Sequence, residues 1–219
     1  MKQFLLALGM AVIGTCWTDG ALASPITFQF GGIVTSVDPL LTGMFAVGNP
    51  ISDVLTFDTA AADTAPGPTV GMYQYISFQL RFDSYVASSL PGVNSIVSVF
   101  NEPSFDLFQA VSAFSAVGAP VNGLTLVSGA TTLLDSSHMV FSSDALPTSL
   151  NLSSFDLADT SLSFCATPGD PGNCNMHLHQ VFGNITSLSV TSSVPEAATL
   201  TLLGLGLAAL GASRRQLQV

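Results

Sequence analysis

Between residues 75 and 82 apolar and polar side chains alternate: Ile76, Phe78, Leu80 and Phe82 fall on one side, Tyr75, Ser77, Gln79 and Arg81 on the other. A period of two is that of a strand with one buried face and is incompatible with an amphipathic helix. Similar segments occur at 26–37, 53–57, 95–100, 105–114, 123–134, 138–141, 150–155, 162–166 and 176–190. Turn signals separate most of them, including Asp38-Pro39, Asn49-Pro50, Pro66-Gly67-Pro68, Pro91-Gly92, Asn122-Gly123 and the Pro/Gly run at 168–172. The pattern predicts an all-β body, an antiparallel β-sandwich or jelly-roll. No repeat of fixed period appears, which argues against a solenoid. The segments beginning Phe30-Gly31-Gly32-Ile33 and Phe182-Gly183-Asn184-Ile185 echo each other. They predict first and last strands that are neighbours in one sheet, each bent by a bulge at its glycines.

Charge narrows the functional classes. The chain has 219 residues, of which 8% are charged, and a net charge of −10. Lys2 stands at one end and Arg214 and Arg215 at the other, so Arg81 is the sole basic residue of the body against twelve carboxylates. Such a surface repels a phosphate backbone and excludes nucleic acid as a partner. It also makes an ordinary cytosolic enzyme a poor fit, since globular domains average ~25% charged residues. Disorder would need low hydrophobicity, whereas fifteen Phe and three Tyr supply a core. Ser and Thr provide most of the outward strand positions, which makes a foldable, nearly uncharged body intelligible.

The two ends read as addresses. Met1-Lys2-Gln3, an apolar run at 4–13 and the triplet Ala21-Leu22-Ala23 form a secretory signal peptide over 1–23, with cleavage expected between Ala23 and Ser24. Cys16 leaves with that segment, since Thr15 and Trp17 fit a lipoprotein site poorly. Residues 24–193 are the body. At the far end, residues 197–213 hold no charge and are rich in Ala, Leu and Gly. They predict a short single transmembrane helix of ~26 Å, shorter than a ~30 Å hydrocarbon core but workable with snorkelling arginines. The positive-inside rule keeps Arg214 and Arg215 cytoplasmic and the body outside. Gln216 to Val219 form a short tail.

Val194-Pro195-Glu196, the short Gly/Leu-rich helix and the Arg214-Arg215 pair together resemble the PEP-CTERM sorting signal of Gram-negative bacteria that make exopolysaccharide. The resemblance spans 194–215, about a tenth of the chain. It implies recognition by exosortase, an integral-membrane Cys protease/transpeptidase that processes such proteins near the motif during export. Ala197 stands where that family has a second proline, and four residues follow the arginines where many members stop. Pro195 biases Val194 towards the extended conformation proteases bind, and Glu196 suits a helix N-terminus. Gly204, Ala208 and Ala212 form a small-residue row against which another membrane helix could pack. The stretch 43–73 more loosely resembles β-rich bodies found in front of this tail.

Chemistry-bearing residues are sparse. Cys165 and Cys174 flank the Pro/Gly run and, in an oxidising compartment, predict a disulfide. A rival reading joins Cys174 with His177 and His179, which share a strand face, around a metal ion. The cluster is incomplete, and neither a metal nor another cofactor is expected. Asp53, Asp58 and Asp63 recur around a strand end, but no calcium-loop spacing accompanies them. No Gly-x-Ser-x-Gly elbow is present, and no carboxylate pair stands out for glycoside hydrolysis.

The expected function is therefore non-catalytic: an exported protein of the cell envelope or extracellular matrix, with a structural or interaction role in exopolysaccharide or biofilm. Its expected partners are signal peptidase, exosortase and extracellular polysaccharide. The alternatives are a secreted glycan-binding module using Tyr73, Tyr75 and Tyr85, and, less favoured, a secreted hydrolase.

Overall fold

A computed structural model describes residues 25–65, 67–90, 95–113, 116–166 and 178–192. Pro25–Ser193 form one compact unit. Its elements, in chain order, are β1 (Pro25–Val37), the 3-10 turn η1 (Pro39–Leu41), β2 (Pro50–Asp58), β3 (Val70–Phe82), β4 (Tyr85–Ser89), β5 (Ser95–Glu102) and β6 (Phe105–Ala113). There follow β7 (Ala116–Val117), β8 (Thr125–Asp135), the 3-10 turn η2 (Leu152–Ser154), β9 (Leu157–Cys165) and β10 (His179–Ser192). No α-helix occurs among the described residues. The expected signal peptide (1–23) and the expected transmembrane helix (197–213) lie outside them.

All strand pairings are antiparallel, and the sheet runs β2-β1-β10-β9-β8-β6-β5-β3 before β3 returns to β2. That last pairing closes eight strands into a barrel. The short strands β4 and β7 branch from β3 as an extension of the same sheet. The expected sandwich or jelly-roll is thus corrected to a closed barrel. Alternation reports that each strand buries one face, and both architectures satisfy it. Closure is decided by β2, which finds partners on both edges, β1 from Ile33↔Pro50 onward and β3 from Ile51↔Phe82 onward. An eight-stranded barrel is just wide enough for side chains to fill. Here Phe28, Phe57 and Phe108 meet edge to face at centroid distances of 5.2 and 5.8 Å, and Phe45, Tyr85 and Phe164 form a second aromatic group.

The echoing segments do pair. Phe30 faces Leu188 and Val34 faces Gly183, with irregularities at Gly31/Gly32 and Val34/Ser36. A side chain on Gly32 would fall on the Asn184 carbonyl, so the bulge needs a glycine there. The alternation at 75–82 is corrected in one detail. The β2–β3 register skips a residue, since Thr56 faces Ser77 but Phe57 faces Tyr75, leaving Ile76 as an extra residue. The bulge turns Tyr75 inward with Phe78, Leu80 and Phe82, while Ile76 is 50% exposed. At Asn122-Gly123 the expected turn forms, both residues having positive φ, and Asn122 Nδ2 donates to the Leu40 carbonyl at 2.7 Å.

Two expected strands are absent. Residues 138–141 form a loop because carboxylates, rather than a neighbouring strand, accept the Met139, Val140 and Phe141 amides. Residues 150–155 contain η2, whose start is capped by the Asn151 side chain accepting from Ser153 N–H.

Candidate functional site

Antiparallel order places the start of β1, the end of β2, the start of β6, the end of β8 and the end of β10 at one pole of the barrel. Both ends of the body emerge there on a single rung, Ile26 opposite Ser192. The 21-residue connection between β8 and β9 (136–156) lies at the same pole, with Phe141, Leu146, Leu150, Leu152 and Phe155 packed on the core.

Three carboxylates hold this connection, and none stood out in the sequence. Asp106, fully buried at the start of β6, accepts from the Val140 and Phe141 amides through Oδ2 and contacts His138 Nδ1 at 2.9 Å through Oδ1. Asp135 accepts from the Ser137 amide and hydroxyl and from the Met139 amide. The Ser137 hydroxyl, then the Met139 amide, hold its carboxyl below the ordinary aspartate range. Asp156 is held low chiefly by the Ser136 hydroxyl and amide. His138 sits at φ 55°, a left-handed conformation that its contact with Asp106 helps to keep. The only signal in the sequence was the polar run Asp135-Ser136-Ser137-His138. Its partner Asp106 lies across the sheet and carries no local mark. A surface groove of about 450 Å³ runs along this connection, bordered by Met139, Ser142, Thr148, Ser149, Asn151 and Ser154.

Inside the barrel, Asp53 is fully enclosed. Its Oδ2 accepts from the Thr131 hydroxyl at 2.8 Å, and Thr160 continues the chain at 3.4 Å. Its Oδ1 finds no well-aligned donor among the described residues. Burial pushes the carboxyl up to about 7, opposed by the nearby Thr160 and Thr131 hydroxyls and the Arg81 amide. Asp58 accepts from the Ala60 amide, and Asp63 from the Ala65 and Met72 amides, each fastening a turn. The three acids therefore do not converge, and no group of three ligating side chains occurs among the described residues.

The remaining candidates are scattered. Tyr73, Tyr75 and Tyr85 are 7%, 5% and 4% exposed, so the structure removes them as sugar platforms. Their hydroxyls donate to the carbonyls of Asp144, Val111 and Ala119. At the opposite pole His179 Nδ1 lies 3.0 Å from Asp38 Oδ2. The Asp38 carboxyl is held low first by the Leu40 amide and then by His179. Cys165 is buried at the end of β9. Cys174 and His177 lie outside the described residues, as do Ala21, Ala23 and Ser24 and the sorting residues Val194, Pro195, Glu196, Arg214 and Arg215.

The barrel is thus an all-β domain whose two ends leave from one rung, the second end running directly into residue 193. A family model described as the PEP-CTERM protein-sorting motif matches residues 193–215. The chain thus carries a PEP-CTERM protein-sorting motif at 193–215, a signal that implies export through the envelope and processing by exosortase, a membrane protein. No curated protein and no solved structure matches the chain.

Proposed function

We propose that the mature chain is a non-catalytic protein of the cell envelope or extracellular matrix, whose barrel serves a structural or interaction role in exopolysaccharide or biofilm. The observation that carries this reading is a sorting motif attached to a barrel with a side-chain-filled interior and a hydroxyl-rich, almost cation-free body. Such a domain meets partners through its outside rather than through an internal chamber. In the pathway we propose, signal peptidase cuts between Ala23 and Ser24. Residues 197–213 then span the membrane transiently with Arg214 and Arg215 cytoplasmic, until exosortase releases or transfers the body near Pro195. Cys165 and Cys174 close a disulfide in the oxidising compartment, locking the end of β9.

Fractionation of the native host followed by terminal mass measurement tests the pathway. The expected product begins at Ser24 and ends near Pro195, with no thiol free to alkylate without prior reduction. An intact C-terminus on the exported protein would overturn the processing step. Hydrolysis of the host polysaccharide by the purified protein, lost on changing two facing acids, would overturn the non-catalytic assignment.

The groove favours a second reading, a glycan-binding module. Ser142, Thr148, Ser149, Asn151 and Ser154 offer hydroxyl and amide groups beside the apolar Met139 and Phe141, a mixture suited to a sugar's two faces. Retardation in affinity gels made with the host polysaccharide, relieved by Asn151→Ala, is its expected signature.

A further inference from the structure

We infer that the outer edge of the second half of β10 is a strand-pairing rail on which the sorting enzyme docks before it reaches the motif. This rests on the sorting reading above and extends it from the motif to the body. β10 runs to Ser192, but its ladder with β9 ends at Asn184↔Asp159, whereas its ladder with β1 continues to Ile26↔Ser192. Among the described residues, the strand from 185 to 192 is therefore held on one side only. η2 lies beside β10, yet no backbone hydrogen bond joins them, and none reaches this edge from any other described residue. Backbone groups in an antiparallel strand point alternately to either side, so this half presents a row of outward N–H and C=O groups.

Edges of this kind are ordinarily blunted by lysine, proline or charge. None is found here. From Pro171 to Pro195 the sequence contains no Asp, Glu, Lys or Arg, although the body is strongly acidic, and 185–192 contain no proline. Thr186, Ser187, Ser189, Val190, Thr191 and Ser192 are exposed. The rail is thus uncharged and, among the described residues, accessible, and in sequence it ends one residue before the matched segment that begins at 193. Proteases bind substrates as added strands, main-chain hydrogen bonds providing affinity and side-chain pockets specificity. An enzyme that takes Val194-Pro195 in extended form meets, immediately upstream, a strand with its hydrogen-bonding edge open. The occupant is accordingly a strand edge of the exosortase-type enzyme. A second copy of this chain pairing edge to edge is the competing occupant.

The test uses the full chain expressed in its native host, with the processed fraction read by terminal mass. Ser189→Pro and Val190→Pro are made separately. Consecutive residues point their amides to opposite sides, so one variant removes a donor to β1 and the other an outward donor. Melting of the purified full chain in detergent identifies the outward one as the variant with the smaller loss. That variant is expected to lower the processing rate at least about fivefold, the worth of one lost hydrogen bond. Pro195→Ala is run alongside. If Pro195→Ala blocks processing while the outward proline variant is processed at the wild-type rate, the rail is overturned and the sorting reading stands. If Pro195→Ala has no effect on an otherwise intact C-terminus, the sorting reading itself fails. A dimer of the wild-type chain in light scattering that the outward variant abolishes, with processing unchanged, assigns the edge to a second copy and overturns the proposal.

Discussion

Asp53 illustrates how one buried side chain sets the response of the whole barrel to pH. Its folded-state pKa of about 7 lies above the ordinary aspartate value, so the folded barrel holds a proton that the unfolded chain releases. Its contribution is therefore fully favourable below about pH 4 and is lost as pH rises towards 7, on the order of 4 kcal/mol in all. Asp53→Asn, which keeps the shape without the charge, should leave stability near pH 4 little changed and raise it at pH 8, as urea unfolding at the two pH values would show. Asp135 and Asp156 act with the opposite sign. Their lowered pKa values add stability above the unfolded range that is lost as pH falls through the folded values. Asp106 is a third case. Replacing it with Ala strands the Val140 and Phe141 amides and should cost about 2–4 kcal/mol, with faster amide exchange confined to 136–156.

For individual elements, the glycines of β1 and β10 and the one-residue bulge in β3 decide which way side chains face. Gly32→Ala would press a methyl group onto the Asn184 backbone and should destabilise the fold by about 2–4 kcal/mol, whereas Gly67→Ala, with open space around it, should be neutral. Thermal unfolding of the two variants under one buffer checks the contrast. The echo between 30–37 and 182–190 was legible because both strands repeat the same glycine interruption, and pairing follows from that. The inward turn of Tyr75 was not legible, since a bulge shifts alternation by one without leaving a local mark on the sequence. Likewise 138–141 is as strand-like as its neighbours in composition. It becomes a loop because Asp106, some thirty residues earlier, takes its amides.

Across the whole molecule, the barrel joins its first strand to its last. β1 can pair with β2 early but gains its second partner only when residues 179–192 are available, so closure of the barrel waits for the last strand. Folding should be slow for the chain's size, as expected when distant strands must meet. A chain ending at residue 178 should lose cooperative unfolding altogether, because β1 and β9 would each keep an open edge; a far-UV thermal melt reports this directly.

The C-terminal sorting motif, strand content, main turns and acidic, lysine-poor body follow from the sequence alone, because they depend on local composition and short-range periodicity. The positions of Asp53 inside the barrel and Asp106 beneath the 136–156 connection follow only from tertiary structure, as does closure into a barrel instead of a sandwich. Each depends on contacts between residues distant in the chain. Register and the return of β3 to β2 bring those residues together, and alternation constrains neither.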